Sequence, residues 1–208
     1  MSHDRTYAIG SRDYLRRARS RLGDGSFEAL FYAALELRSG VEARLQEYLD
    51  AQHHISERKK KGWQVAKLGR NLEEAFRVGN RIVEITIAND PGRKPLALLY
   101  YTPVTKSLQK NAQQLGNYLH SIKQYREPTD PWWREFRAIL DSAVAELEVA
   151  TTGTLLGPPL LHPKTGSATM TTETVEGTDP NELIERIGRT GTQICMKVDY
   201  LAALPPRA

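Results

Sequence analysis

Apolar residues recur at spacings of three and four up to about residue 76 and again from about 104 to 150, while alternation at two is confined to short stretches. That pattern predicts a mainly helical chain with a few strands. Asp13–Leu22 reads as a short basic helix stopped by Gly23 and Gly25. Ser26 offers an N-cap to a long helix running to about His53. "HISERKKKGW" breaks the period, and a further helix is expected at about Trp63–Phe76, where Leu68, Leu72 and Phe76 share one face. The period then changes. "RIVEITIA" (81–88) and "LALLYY" (96–101) read as a β-hairpin around "NDPGRK", with Asp-Pro-Gly as turn chemistry. Thr105 caps an expected helix at about 105–124, and Asp130 with Pro131 opens another running to about Ala150.

Residues 151–208 differ in character. "TGTLLGPPLLHPKTGS" reads as an ordered Gly/Pro loop, "ATMTTETV" and "QICMKVDYL" as strands, and "DPNELIERIG" as a short helix with a capping box from Asp179 to Glu182. The expectation is an α+β fold. A helical bundle over 1–150 carries an inserted hairpin at about 81–101, and 151–208 form a small strand–helix–strand appendage.

Length changes little here, since 208 residues suit one large domain or a domain with an appendage. Cys195 is the only cysteine, so no internal disulfide forms, and the chain has neither a CxxC zinc pattern nor a disulfide framework. No apolar run has the length of a membrane span, and the start lacks a hydrophobic signal core. A soluble, cytoplasmic protein with no membrane partner, cofactor or metal is expected.

Charge alters the picture more. The net charge is +4, and residues 1–81 hold 16 Lys/Arg against 11 Asp/Glu, while 82–208 hold 13 against 14. Two clusters produce the excess: Arg12, Arg16, Arg17, Arg19 and Arg21, then Arg58, Lys59, Lys60 and Lys61. Each reads alone as a solvated helix face or connector. Together they raise RNA or another nucleic acid as a partner, with Arg16, Arg19, Lys59, Lys60, Lys61 and Lys110 as the contacting residues.

On the long helix Phe27, Phe31, Ala34, Arg38, Val41, Leu45 and Tyr48 form one stripe, and its fourth member is a charge. A buried guanidinium is costly unless paired. Arg38 therefore bonds Glu42, or pairs with a neighbouring helix, or faces a cleft that takes an anion. Farther along, Lys106, Lys110, Gln113, Asn117, His120 and Gln124 form a polar row, well round from the leucines of the same helix. This row is a solvated face or the edge of a site in which His120 exchanges protons, Asn117 orients a substrate group and Lys110 attracts a phosphate. His53 and His54 are adjacent and diverge, and His162 lies in the Gly/Pro loop. Trp63, Trp132 and Trp133 are packing anchors or base-stacking groups. No phosphate loop, GxGxxG, GxSxG or HExxH is present.

"LFYAALELRSGVEARLQEYL" (30–49), with Glu36-Leu37-Arg38 at its centre, and "YYTPVTKSLQKNAQQLGNYLHS" (100–121), ending in Asn117 and His120, resemble HEPN-type helical proteins of prokaryotes. The segments cover about a fifth of the chain. The resemblance implies a helical bundle, often a homodimer or bound to a partner protein, of the kind found in RNA-cleaving toxins, toxin–antitoxin systems and antiviral defence. It also implies a metal-independent site built on an Arg and a His. That family's arginine stands a few residues before the histidine on one helix, where this chain has Gln113, Gln114 and Leu115. Arg38 or Lys110 would have to replace it. The readings that follow are a non-catalytic binding or assembly module, a ribonuclease using His120 with Arg38 or Lys110, and a nucleotide or small-molecule sensor with Arg38 facing a pocket.

Overall fold

The computed structural model describes residues 9–62, 64–89, 94–120, 125–161, 168–173 and 195–205. The fold is α+β and mainly helical. The helices are α1 (Ser11–Asp24), α2 (Phe27–Asp50), α3 (Glu57–Lys60), α4 (Val65–Phe76), α5 (Lys106–His120) and α6 (Pro131–Thr152). The strands are β1 (Ile82–Ala88), β2 (Ala97–Tyr101), β3 (Leu160–Leu161), β4 (Ala168–Thr169) and β5 (Cys195–Leu201). Trp63, the expected turn at 90–93, residues 121–124, His162 and the expected helix around Asp179–Glu182 lie outside the described residues.

Local chemistry sets the helix starts. The Ser26 hydroxyl accepts from the Ala29 N–H, Thr105 Oγ1 from the Leu108 N–H and Asp130 Oδ1 from the Trp132 N–H. Each supplies an acceptor to a donor that the first turn leaves unpaired. Gly25, at φ 79°, ends α1 in the left-handed region that a Cβ penalises.

The chain divides into two compact units, Met1–Ala75 with Val104–Thr151, and Phe76–Pro103 with Thr152–Ala208. In the first, α2 packs against both α1 and α5. Leu37, Val41, Leu45, Leu108, Leu115, Phe136, Leu140 and Leu147 are all within 1% of full burial and make its core. Gly40 is buried on α2, and a Cβ there would lie 2.9 Å from Leu147 Cδ2 and 3.1 Å from Tyr14 Cβ. The glycine thus lets α1 and the Leu147 side chain of α6 seat against α2. Trp132 and Trp133 join Phe27, Phe31, Tyr118 and Phe136 in one aromatic cluster, with Phe27 and Trp133 stacked at 4.1 Å. They are packing anchors rather than an open stacking platform.

The second unit holds an antiparallel sheet of order β2-β1-β5. Ile85 lies between Leu99 of β2 and Val198 of β5. This differs from the expected organisation. The hairpin was expected as an insert of the bundle and 151–208 as a separate appendage, whereas β5 completes the hairpin's own sheet. Backbone pairing between segments so far apart leaves no periodic trace in either, so the hairpin's place in the second unit was not expected, while the break near residue 151 falls between Thr151 and Thr152. The short β3–β4 pair and the Leu155–Thr172 bridge belong to the same unit.

Burial, and the Glu84 carboxylate beside it, push the Tyr100 phenol up to about 12 from an ordinary 10.0. Below pH 10 the phenol is neutral in both folded and unfolded chains, so the shift changes nothing there. Above pH 10 the unfolded chain loses its proton first, and stability falls as pH rises towards 12. Absorbance titration of the folded protein near 295 nm should show the Tyr100 phenol ionising only at about pH 12, and Glu84→Gln should shorten that delay. Unchanged titration in the variant would remove Glu84 as a cause.

Candidate functional site

Arg38 is not the core charge the helical stripe suggested. Its side chain is 26% exposed and its Nε donates to Glu42 Oε1 at 3.2 Å, one turn on. The buried arc of α2 runs instead through Leu30, Ala33, Leu37, Gly40, Val41, Arg44 and Tyr48. Because α2 is covered from more than one side, its core arc is broad, and the wheel placed its centre one residue off.

The residue buried in that arc is Arg44, with no exposed surface. Its Nε donates to the Ala150 carbonyl at 2.9 Å and its Nη1 to Glu47 Oε2 at 2.9 Å. Glu47 in turn accepts from the Ser11 N–H and hydroxyl at 2.7 and 2.8 Å. Tyr48 Oη donates to the same Ala150 carbonyl, and Arg12 donates twice to the Thr151 carbonyl. Two arginines and a tyrosine therefore satisfy the last carbonyls of α6, where the helix dipole favours positive charge. This is a structural clasp. The sequence signal for it was Arg44 standing three residues after Val41 and four before Tyr48, both apolar-arc positions.

Arg38 nevertheless borders an opening. A cavity of about 340 Å³ is lined by Arg38 from α2, Val65 from α4, and Ala112, Gln113, Gly116, Asn117 and His120 from α5. Gly116 is buried, and a Cβ there would collide with Arg38 Nη1. The bare backbone of α5 thus gives the guanidinium its room. A glycine inside a helix costs about 1 kcal/mol against alanine, which is the sequence signal for a close approach. Gln113, Asn117 and His120 are exposed. Among the described residues their side chains have no hydrogen-bond partner. The α5 helix itself carries no carboxylate along its whole length.

The cleft thus joins a guanidinium, an imidazole and two carboxamides over an apolar floor. The Arg38 Nε is taken by Glu42, and its Nη1 lies against Gly116, another residue of the lining. Such a donor set suits a small oxyanion such as a phosphate. Lys110 is exposed on α5 but does not line the cavity. Of the nominated residues, Arg38, Asn117 and His120 are brought together.

The basic clusters are largely engaged within the chain. Arg16 pairs with Asp13 at 3.0 Å and holds that carboxyl below its ordinary value. Arg19 pairs with Glu148, Lys59 with Glu74 and Lys60 with Glu57. Arg17 pairs with Glu36 at 2.9 Å. Lys61 and Arg58 are exposed. Among the described residues no three His, Cys, Asp or Glu side chains gather as a metal site, and no helix is long and apolar enough to cross a membrane.

The chain matches no protein-family model, no curated protein and no solved structure.

Proposed function

We propose that the chain is an HEPN-like binding module of a prokaryotic defence or toxin-type system, and that the Arg38 cleft holds a phosphate of a nucleotide or nucleic acid. One observation carries this reading: Arg38, whose Nη1 lies against Gly116, lines the same cavity as Asn117 and His120. The mutual pairing of the basic clusters favours a local phosphate site over a broad electrostatic surface. The test is titration with adenosine 5′-monophosphate and with a short single-stranded RNA, each against the parent and Arg38→Ala. A charge-assisted hydrogen bond contributes about 1.5–3 kcal/mol, so the variant should bind about tenfold more weakly or worse. Binding confined to the RNA would assign a nucleic-acid site, and binding of both a nucleotide site. Equal affinity of parent and variant would remove the cleft from the function.

A second reading is metal-independent RNA cleavage, favoured by His120 and Arg38 lining one cavity. There His120 accepts the proton of a ribose 2′-OH as that oxygen attacks the adjacent phosphorus and the 5′-oxygen leaves. Arg38 stabilises charge on the phosphoryl oxygens. RNA cleavage in EDTA that His120→Ala abolishes supports it. Equal cleavage by His120→Ala and parent removes His120 from the chemistry.

A further inference from the structure

Glu42 belongs to two places at once. It holds Arg38 at 3.2 Å on the side of the phosphate cleft, and it also lines a second cavity, of about 260 Å³, on α2. Among the described residues Ile9, Tyr14, Ser39, Ala43, Gln46, Gly62 and Leu68 also line that cavity. Among the described residues Glu42 is its only charged member, and the Lys67 Nζ lies near Gly62 at its edge. Gln46 donates its amide N–H to Asp50 at 2.7 Å and so retains an acceptor oxygen, and Ser39 adds a hydroxyl. Arg17, which lies over the Tyr14 ring, is held by Glu36. Carboxylate, amide oxygen and hydroxyl are acceptors, and Ile9, Ala43 and Leu68 are apolar. A ligand with only donors at its head and an apolar stem matches this lining, and an alkyl ammonium is such a group, with three donors and no acceptor.

Arg38 lines the first cavity and Glu42 the second, so the ion pair between them links the two linings. We propose that the second cavity binds the ammonium end of an aliphatic amine, and that this amine strengthens phosphate binding in the cleft by drawing Glu42 away from Arg38. The proposal rests on the phosphate reading of the cleft for its second half only. While Glu42 bonds Arg38, its negative charge offsets that of the guanidinium and takes one of its donors. An ammonium beside Glu42 neutralises the first effect and competes for the second. Linkage then requires that phosphate raise amine affinity by the same factor. The pair is about a quarter exposed on both sides, so its strength is that of a partly solvated ion pair, and the coupling is about two- to fivefold.

The experiment uses butylamine, butanol as its uncharged match, and inorganic phosphate. Each is titrated alone and in pairs into the full chain by NMR and calorimetry. Butylamine should shift amides of Ser39–Gln46 and saturate, whereas butanol should not. Phosphate should bind about two- to fivefold more tightly with the amine present. Glu42→Gln, without amine, should already show that tightening, should lose amine binding and should show no further coupling. An amine that does not saturate, or that binds Glu42→Gln as well as the parent, overturns the site. Coupling of equal size in the Gln variant overturns the mechanism, because it would arise from amine–phosphate pairing in solution. If Arg38→Ala binds phosphate like the parent, the cleft reading fails, and amine binding measured alone still decides the second cavity.

Discussion

Replacing Arg44 with alanine should destabilise the fold by about 2–4 kcal/mol, since a fully buried side chain and its donor to a buried carbonyl are lost, whereas Glu47, 24% exposed, keeps water and the Ser11 donors. Three losses add up in one place. Glu47 keeps its charge but loses the Nη1 donor at 2.9 Å. The Ala150 carbonyl loses the Nε donor at the end of α6. The stem and guanidinium, fully buried and lying 4.5 Å from the Tyr48 ring centroid, leave a void. Chemical denaturation should therefore report a much lower midpoint, with the slope unchanged if the transition remains two-state. Arg44→Lys should recover only part of the loss, since an ammonium cannot span the Ala150 carbonyl and Glu47 in the same fork. A midpoint shift within about 0.5 kcal/mol of the parent would show that the clasp contributes nothing.

Gly116→Ala should separate binding from stability. Within a helix the added methyl favours the folded state by up to about 1 kcal/mol. At this position it also lands on Arg38 Nη1, the far end of a flexible side chain that is able to move. Stability should therefore stay level or rise, while phosphate affinity should fall about tenfold because the guanidinium is driven off its place beside Asn117 and His120. Circular dichroism melts and phosphate titration on the same preparation check both halves. A variant that melts earlier would mean that α5 cannot shed the clash through Arg38. A variant that binds phosphate like the parent would mean that the guanidinium position is irrelevant to the ligand.

Much of the fold was legible because its causes are local. Ser26, Thr105 and Asp130 mark helix starts through bonds to an N–H two or three residues away, and the windows between them fix the helices. The polar row on α5 was also legible, and Asn117 and His120 stand exposed as a one-sided helix requires. What failed was whatever depends on a distant partner. Arg38 read as a core charge because a single helical wheel allows for one covering neighbour, whereas α2 has several. Arg44 was passed over because the carbonyl that justifies it lies 106 residues away. The cleft was half visible: Arg38 and His120 could each be nominated, but only the backbone gap at Gly116 brings them to one cavity.

The order β2-β1-β5 has a consequence for how the chain is made. Strand β1 leaves the ribosome early and finds β2 within a few residues, but its other neighbour follows only after more than a hundred further positions. A lone hairpin is marginal in water. Late, long-range closure is the slow kind of folding event. During synthesis one edge of β1 therefore stands open as a template for foreign strands, and a shortened chain that stops at the end of α6 would keep that edge open for its whole life.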